Sequence, residues 1–229
     1  MYVNYIQTFL HVNRSFILKK VIKSMVRKTK ENAELTKQSI IHAAREVFLE
    51  RGVSRTTLEH IAAKANVTRG AVYWHFKNKI DIFHAMREQV FLPLIDRMDD
   101  TLLTSGSSAP LASIENFLLG TIQVLDESIE TRQTYEIMMI KCEYVDEFSD
   151  VLQQILSNCS GITEKIALTY ERASTKGELR EGFDPQQLAQ DTNLFFSGLL
   201  HMWVKDLNGN RFRQNATQLI KFHMHLRKK

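Results

Sequence analysis

The sequence predicts an all-α protein. Helix breakers are scarce, with nine Gly and three Pro in 229 residues, while Leu, Ile, Ala, Glu, Lys and Gln run throughout. Apolar residues recur at helical spacing: Ile40, Ile41, Ala44, Val47 and Phe48 fall on one face of a helix. At 44% hydrophobic and 24% charged, the chain can bury a real core.

The elements follow in order. Residues 1–24 are apolar and aromatic, then basic at Lys19, Lys20 and Lys23, and carry neither a cap nor a persistent period; they form an extension with no assigned structure. Met25 opens a more conventional arm, Met25-Val26-Arg27-Lys28-Thr29-Lys30, and is a second candidate start of translation. A helix is expected over 33–51, stopped by Gly52. Thr56 or Thr57 caps a second, short helix with Leu58, Ile61, Ala62 and Ala65 as its inner stripe. Asn66-Val67-Thr68 makes a tight break, and Thr68 caps a third helix over 69–76. Two short helices joined by such a turn and braced by a longer one form a tri-helical helix-turn-helix. Beyond it, Pro93, the Gly/Ser stretch before Pro110, Gly177, Gly182 with Pro185, and Asn208-Gly209 punctuate about six helices near 79–103, 110–128, 130–142, 145–176, 185–206 and 210–226. The expected division is an extension (1–24), a helix-turn-helix domain (25–78) and a larger helical domain (79–229).

Charge separates the front of the chain from the rest. Residues 25–79 hold eleven basic and five acidic groups, whereas residues 80–229 hold fifteen basic and twenty-one acidic. A basic front on an acidic body suits a polyanionic partner for the front alone, because counterion release from phosphates drives non-specific DNA affinity. Cys142 and Cys159, the only cysteines, make neither a disulfide framework nor a CxxC site, which fits a reducing, cytoplasmic setting. No apolar run approaches the roughly 20 residues of a membrane span, so no membrane partner is expected.

On the third helix, Arg69, Gly70, Tyr73, Trp74 and Lys77 share one side at 100° per residue, and Ala71, Val72 and Phe76 the other. Gly70 costs a helix interior about 1 kcal/mol against Ala, which suits a backbone approached closely by another surface. A DNA groove is such a surface: Arg69 can meet a guanine edge or phosphate, the Tyr73 hydroxyl a phosphate, and Lys77 or Lys79 the flanking backbone. Alternatively, Tyr73 and Trp74 simply pack between the two domains.

The segments Thr56-Thr57-Leu58-Glu59-His60-Ile61-Ala62 and Val67-Thr68-Arg69-Gly70-Ala71-Val72-Tyr73-Trp74-His75-Phe76-Lys77-Asn78-Lys79 closely resemble the amino-terminal signature of TetR-family repressors. The Met25–Lys30 arm, the run from Thr68 to Phe76 and Lys141-Cys142-Glu143-Tyr144 are similar in particular to AcrR-type repressors of multidrug efflux pumps. The detailed likeness covers residues 25–90. It implies a nine-helix protomer whose first three helices bind DNA while the rest build the sensor and dimer contacts. It assigns operator contact to Thr57, Arg69, Gly70, Tyr73, His75 and Lys79, although the helical wheel puts His75 nearer the core half. With the arm and caps, the expected DNA-binding set is Arg27, Lys28, Thr56, Thr57, Thr68, Arg69, Gly70, Tyr73, Trp74, His75, Lys77 and Lys79.

The resemblance also implies a cavity for a small hydrophobic or amphiphilic inducer, such as a drug, dye, plant or bile compound. Flexible Met and aromatic side chains suit that task. The expected lining is Val90, Tyr135, Met139, Ile162, Ile166, Asn193 and Phe196, with Asn193 and Tyr135 offering hydrogen bonds. Two further apolar stripes, Leu188, Leu194, Phe195, Leu199 and Trp203 on one helix and Ala216, Leu219, Ile220 and His223 on the next, suggest a homodimer built as a four-helix interface. Such a dimer spaces its reading helices by one DNA turn and reads an approximately palindromic operator. The function expected is a ligand-released repressor of a multidrug efflux pump. The alternative is an activator or other DNA-binding protein of the same fold, controlling a metabolic or stress operon. An enzyme is not expected: GxSxG, phosphate-loop and HExxH motifs are missing, and His223 and His225 are badly spaced for a metal, so neither cofactor nor metal is foreseen.

Overall fold

The computed structural model describes residues 30–103 and 109–229, and among them the architecture is helical throughout. Nine α-helices are described: α1 (30–51), α2 (Leu58–Lys64), α3 (Arg69–His75), α4 (Lys79–Leu103), α5 (Pro110–Glu127), α6 (Ile129–Glu136), α7 (Ser149–Thr175), α8 (Pro185–Lys205) and α9 (Ala216–His225). The extension over 1–24 and the arm residues Arg27 and Lys28 lie outside the described residues.

The first three helices form a small head. The apolar stripe of α1 is buried through Ile40, Ile41, Ala44, Val47 and Phe48 and meets Leu58 and Ile61 of α2 and Val72 of α3. Gly52 closes α1 at φ +79°, with its amide donating to the Phe48 carbonyl at 2.9 Å. Asn66 takes the other left-handed position, φ 53°, in the turn between α2 and α3, where a short polar side chain tolerates that conformation. The caps are hydroxyls. Thr57 Oγ1 accepts from the His60 amide and Thr68 Oγ1 from the Ala71 amide.

The long helix α4 serves both parts. Its first turns complete the head core through Ile82, Phe83 and Met86, and its later turns place Phe91, Leu94 and Met98 against the body. Pro93 lies inside it without ending it. The body also reaches back, because Ile137, Met138, Phe148 and Val151 belong to the same cluster as the head.

Three boundaries differ from the sequence expectation. The helix expected over 130–142 ends at Glu136 and continues as a π-helical turn, Ile137–Lys141. The helix expected from 145 begins at Ser149, after a 3-10 turn at Asp146–Phe148. The last helix begins at Ala216 rather than near 210, because the Asp206 carboxylate accepts the amides of Arg211, Phe212 and Arg213 at 2.8–3.1 Å and holds that segment as a turn. Local periodicity cannot reveal a carboxylate that reaches five to seven residues forward.

Candidate nucleic-acid interface and sensor cavity

The third helix divides as its wheel predicts. Val72 and the capping Phe76 are buried, whereas Arg69, Gly70, Tyr73, Trp74 and Lys77 are exposed. Trp74 is 72% exposed and Tyr73 46%, so neither is packed between the two parts of the molecule. Arg69 is held in place on this face. Its guanidinium pairs with Glu59 at 2.8 Å, donates to the Tyr73 hydroxyl at 3.1 Å and lies over the Tyr73 ring. A Cβ added at Gly70 would meet nothing nearer than Thr68 Oγ1 at 3.9 Å, so no contact inside the chain demands glycine there. The capping residues Thr57 and Thr68 are exposed; the Thr68 hydroxyl, having accepted from its own helix, retains a proton to donate outward, while that of Thr57 is turned to the Glu59 carboxylate. His75 is half-buried, and burial first, then the charge of Lys37, holds its imidazole below the ordinary value.

Two members of the expected set are occupied elsewhere. Thr56 is buried, and its hydroxyl donates to the Gly52 carbonyl at 2.8 Å, so it fastens the α1–α2 connection rather than facing a partner. Lys79 donates to the Ser54 carbonyl at 3.4 Å, stands 3.7 Å from Glu147 and lies over the Phe148 ring. It joins head to body. Sequence spacing gave no sign of this, because Glu147 and Phe148 are distant in the chain.

Behind the head lies an apolar cavity of about 140 Å³ between α4, α5, α6, α7 and α8. Of the expected lining, Tyr135, Met139, Ile162, Ile166, Asn193 and Phe196 are present. Val90 is instead buried in the core, and its neighbour Phe91 takes the place, stacked on Tyr135 with ring centroids 5.1 Å apart. The error is one position of register on α4. Leu94, Met98, Phe117, Met138, Ile155 and Cys159 also line the cavity. Asn193 donates to Thr163 Oγ1 at 2.7 Å, which fixes its amide beside the apolar wall. Burial raises the Tyr135 phenol well above its ordinary value, so it stays protonated as a donor.

Cavity and head are mechanically joined. Met138 and Met139 line the cavity from the π-helical turn, and the Lys141 carbonyl at the end of that turn accepts the Val53 amide of the head at 2.9 Å. Tyr144 donates to the Met138 carbonyl at 2.8 Å, and Ser54 to Glu143 at 3.3 Å. A π-turn is a strained insertion often found at functional sites, and here it stands between pocket and head.

The surface of α8 and α9 carries Leu194, Met202, Leu219, Phe222 and Leu226 in exposed positions. The two stripes read from the sequence are thereby divided: Leu188, Leu199, Trp203, Ala216 and Ile220 are buried in the protomer's own core, while Leu194 and Leu219 face outward.

A tri-helical head with an open cationic and aromatic helix face, set on a helical body that encloses an apolar cavity, defines a one-component regulator. The comparisons place it more closely. Residues 40–86 match the model of bacterial regulatory proteins of the tetR family, and residues 109–228 that of the MAATS-type transcriptional repressor C-terminal region. The chain belongs to the TetR family of transcriptional regulators. It is 35% identical over 184 residues to the HTH-type transcriptional regulator TtgR of Pseudomonas putida, covering 79% of this chain and 85% of that one. Among solved structures it resembles NalD, the secondary repressor of the MexAB-OprM multidrug efflux pump in Pseudomonas aeruginosa. There the TM-score is 0.77 at 32% identity, covering 87% of this chain and 98% of NalD. It also resembles SmeT in complex with triclosan, with TM-score 0.74 at 29% identity, covering 85% and 92%. SmeT is the repressor of a Stenotrophomonas maltophilia multidrug efflux pump.

Proposed function

We propose that this protein is a homodimeric repressor that binds a palindromic operator before multidrug efflux genes and leaves it when a small hydrophobic or amphiphilic molecule fills the cavity. The observation that carries the proposal is the single helix α4, which packs into the head core at one end and lines the cavity at the other. Relatives that repress efflux pumps support the target, and the triclosan complex of SmeT supports the inducer class. The work is done on chromosomal DNA in the cytoplasm, and no helix among the described residues is long and apolar enough to cross a membrane.

Operator contact comes from Thr57, Thr68, Arg69, Gly70, Tyr73, Trp74 and Lys77, with the arm residues Arg27 and Lys28 reaching the flanking backbone. Pairing of the exposed faces of α8 and α9 across a two-fold axis buries Leu194, Met202, Leu219, Phe222 and Leu226, and sets two α3 helices about 34–36 Å apart on one face of the duplex. Ligand in the cavity presses on Met138, Met139 and Phe91. The first two move the π-turn that holds Val53, and the third moves α4. DNA and ligand then favour different positions of the heads, and a coupling of about 1–3 kcal/mol suffices for regulation. The reading is tested by deleting the gene and measuring transcripts of neighbouring transporter genes, which should rise. Unchanged or lowered transcripts would overturn repression.

A further inference from the structure

The cavity continues into a second chamber of about 230 Å³ between α4 and α7. The two chambers share Phe91, Met98, Met138, Ile155, Cys159 and Ile162 as common walls. The first chamber has no charged residue in its lining, and the second has two, Arg87 and Lys165. Lys165 is neutralised by an ion pair with Asp99. Arg87 is not. It is only 9% exposed, its Nη2 makes a single long contact of 3.4 Å to the Gln154 side chain, and its Nη1 is buried with no hydrogen-bond partner among the described residues. The Tyr144 phenol and Glu88, the adjacent and exposed acid, act on it only through their charge and only partly offset its burial.

A guanidinium held this way is costly. Burial pulls its proton affinity down, and the usual remedy, a carboxylate partner, is not in the chamber. Every other described wall of the two chambers is apolar or uncharged, so an organic cation would meet no counter-charge in the lining while an oxyanion would meet a guanidinium held in no ion pair.

We propose that the cavity selects amphiphilic acids, molecules with an apolar ring body and one carboxylate or ionised phenol, and that Arg87 binds the oxyanion. The inference rests on the inducer cavity described above and narrows what it takes. The ring body lies among Phe91, Met138 and Ile162, and the oxyanion accepts from the Arg87 guanidinium where it lines the second chamber. Arg87 is one turn before Phe91 and next to Met86 of the head core, so the charged end of the ligand pulls on α4 where that helix enters the head.

The test uses the intact protein and three probes of one shape: 2-naphthoate, its neutral methyl ester and 2-naphthylmethylammonium, titrated by calorimetry into wild type, Arg87→Gln and Arg87→Lys. The expected result is that wild type binds naphthoate at least about tenfold more tightly than the ester and the ammonium most weakly. Arg87→Gln should lose the preference for the acid while keeping the affinity for the ester, and Arg87→Lys should restore part of it. Ester affinity thus reports an intact cavity independently of charge. Equal binding of acid and ester by wild type, or a preference for the acid that survives in Arg87→Gln, would overturn the assignment of Arg87 and leave the cavity standing. Failure of all three probes to bind wild type would overturn the cavity reading itself.

Discussion

Gly70→Ala should make the protein more stable and its operator binding weaker. Gly70 is in the first turn of α3 with helical backbone, and a Cβ there would meet nothing closer than 3.9 Å. Alanine therefore adopts the native conformation without strain and restricts the unfolded chain, a gain of about 0.5–1 kcal/mol. For a protomer of this size that raises the melting temperature by about 1–4 °C. On DNA the sign reverses. The added methyl stands on the face shared by Tyr73 and Trp74, and relieving its clash with the groove wall costs about 1–3 kcal/mol at a tightly packed surface. Two heads carry it in a dimer, so affinity should fall by at least about tenfold, or 1.4 kcal/mol. Fluorescence anisotropy with a labelled operator duplex, beside calorimetric melting, reads both quantities. Affinity within twofold of wild type, with the expected rise in melting temperature, would show that Gly70 does not face the groove.

Four other outcomes follow from the same structure. Lys77→Ala should lower the salt dependence of operator binding by about 0.9 in slope for each lost phosphate contact, hence about 1.8 in a dimer, measured by anisotropy at several salt concentrations. Ile162→Trp should fill the cavity, leaving operator affinity intact while a saturating dose of 2-naphthoate no longer releases the duplex. His223 is buried, stacked on Phe195 at 3.8 Å, and burial, then Arg227, against a weaker opposing pull from Asp191, lowers its pKa to about 4. Because the unfolded imidazole titrates near 6.5, protons favour the unfolded chain as pH falls from 6.5 towards 4. The protein should lose about 2 kcal/mol at pH 5 relative to pH 7.5 in urea unfolding, and His223→Gln should remove that loss. At Asp206, burial alone would raise the carboxyl, but the three backbone amides outweigh it and lower its pKa. Its contribution, present above the unfolded carboxylate range, should disappear as pH falls below about 4, and Asp206→Asn, which keeps an accepting oxygen but cannot ionise, should lose this pH dependence.

Much of this molecule is legible in its sequence because helices are local. The stripe Ile40, Ile41, Ala44, Val47 and Phe48, the cap Thr68 and the stop at Gly52 are each set by neighbours within a turn, and the structure has them as read; of the two candidate caps of α2, Thr56 and Thr57, it uses Thr57. The face of α3 is legible for the same reason. What escaped depends on residues distant in sequence. Thr56 looks like a free cap until the Gly52 carbonyl is seen beneath it, and Lys79 looks like a phosphate ligand until Glu147 and Phe148 come alongside. Val90 and Phe91 are both apolar, so spacing does not separate them, and only the packing of α4 against Tyr135 decides which one points into the cavity. Arg87 could not be distinguished from any surface arginine on a helix. Its burial, with one long contact to Gln154 and Nη1 unpartnered, exists only once α7 packs against α4.

The two tryptophans allow the central claim to be tested in one titration. Trp74 stands exposed on α3, while Trp203 is 1% exposed beneath Arg213 in the body. In a Trp203→Phe variant, acrylamide quenching therefore reports Trp74 alone. As an operator duplex recovered by selection from random sequence is added, quenching of Trp74 should fall to a plateau at one duplex per dimer and return when 2-naphthoate is added. Trp74 remaining as quenchable as in the free protein, while anisotropy shows the duplex bound, would mean that DNA is held by some other surface.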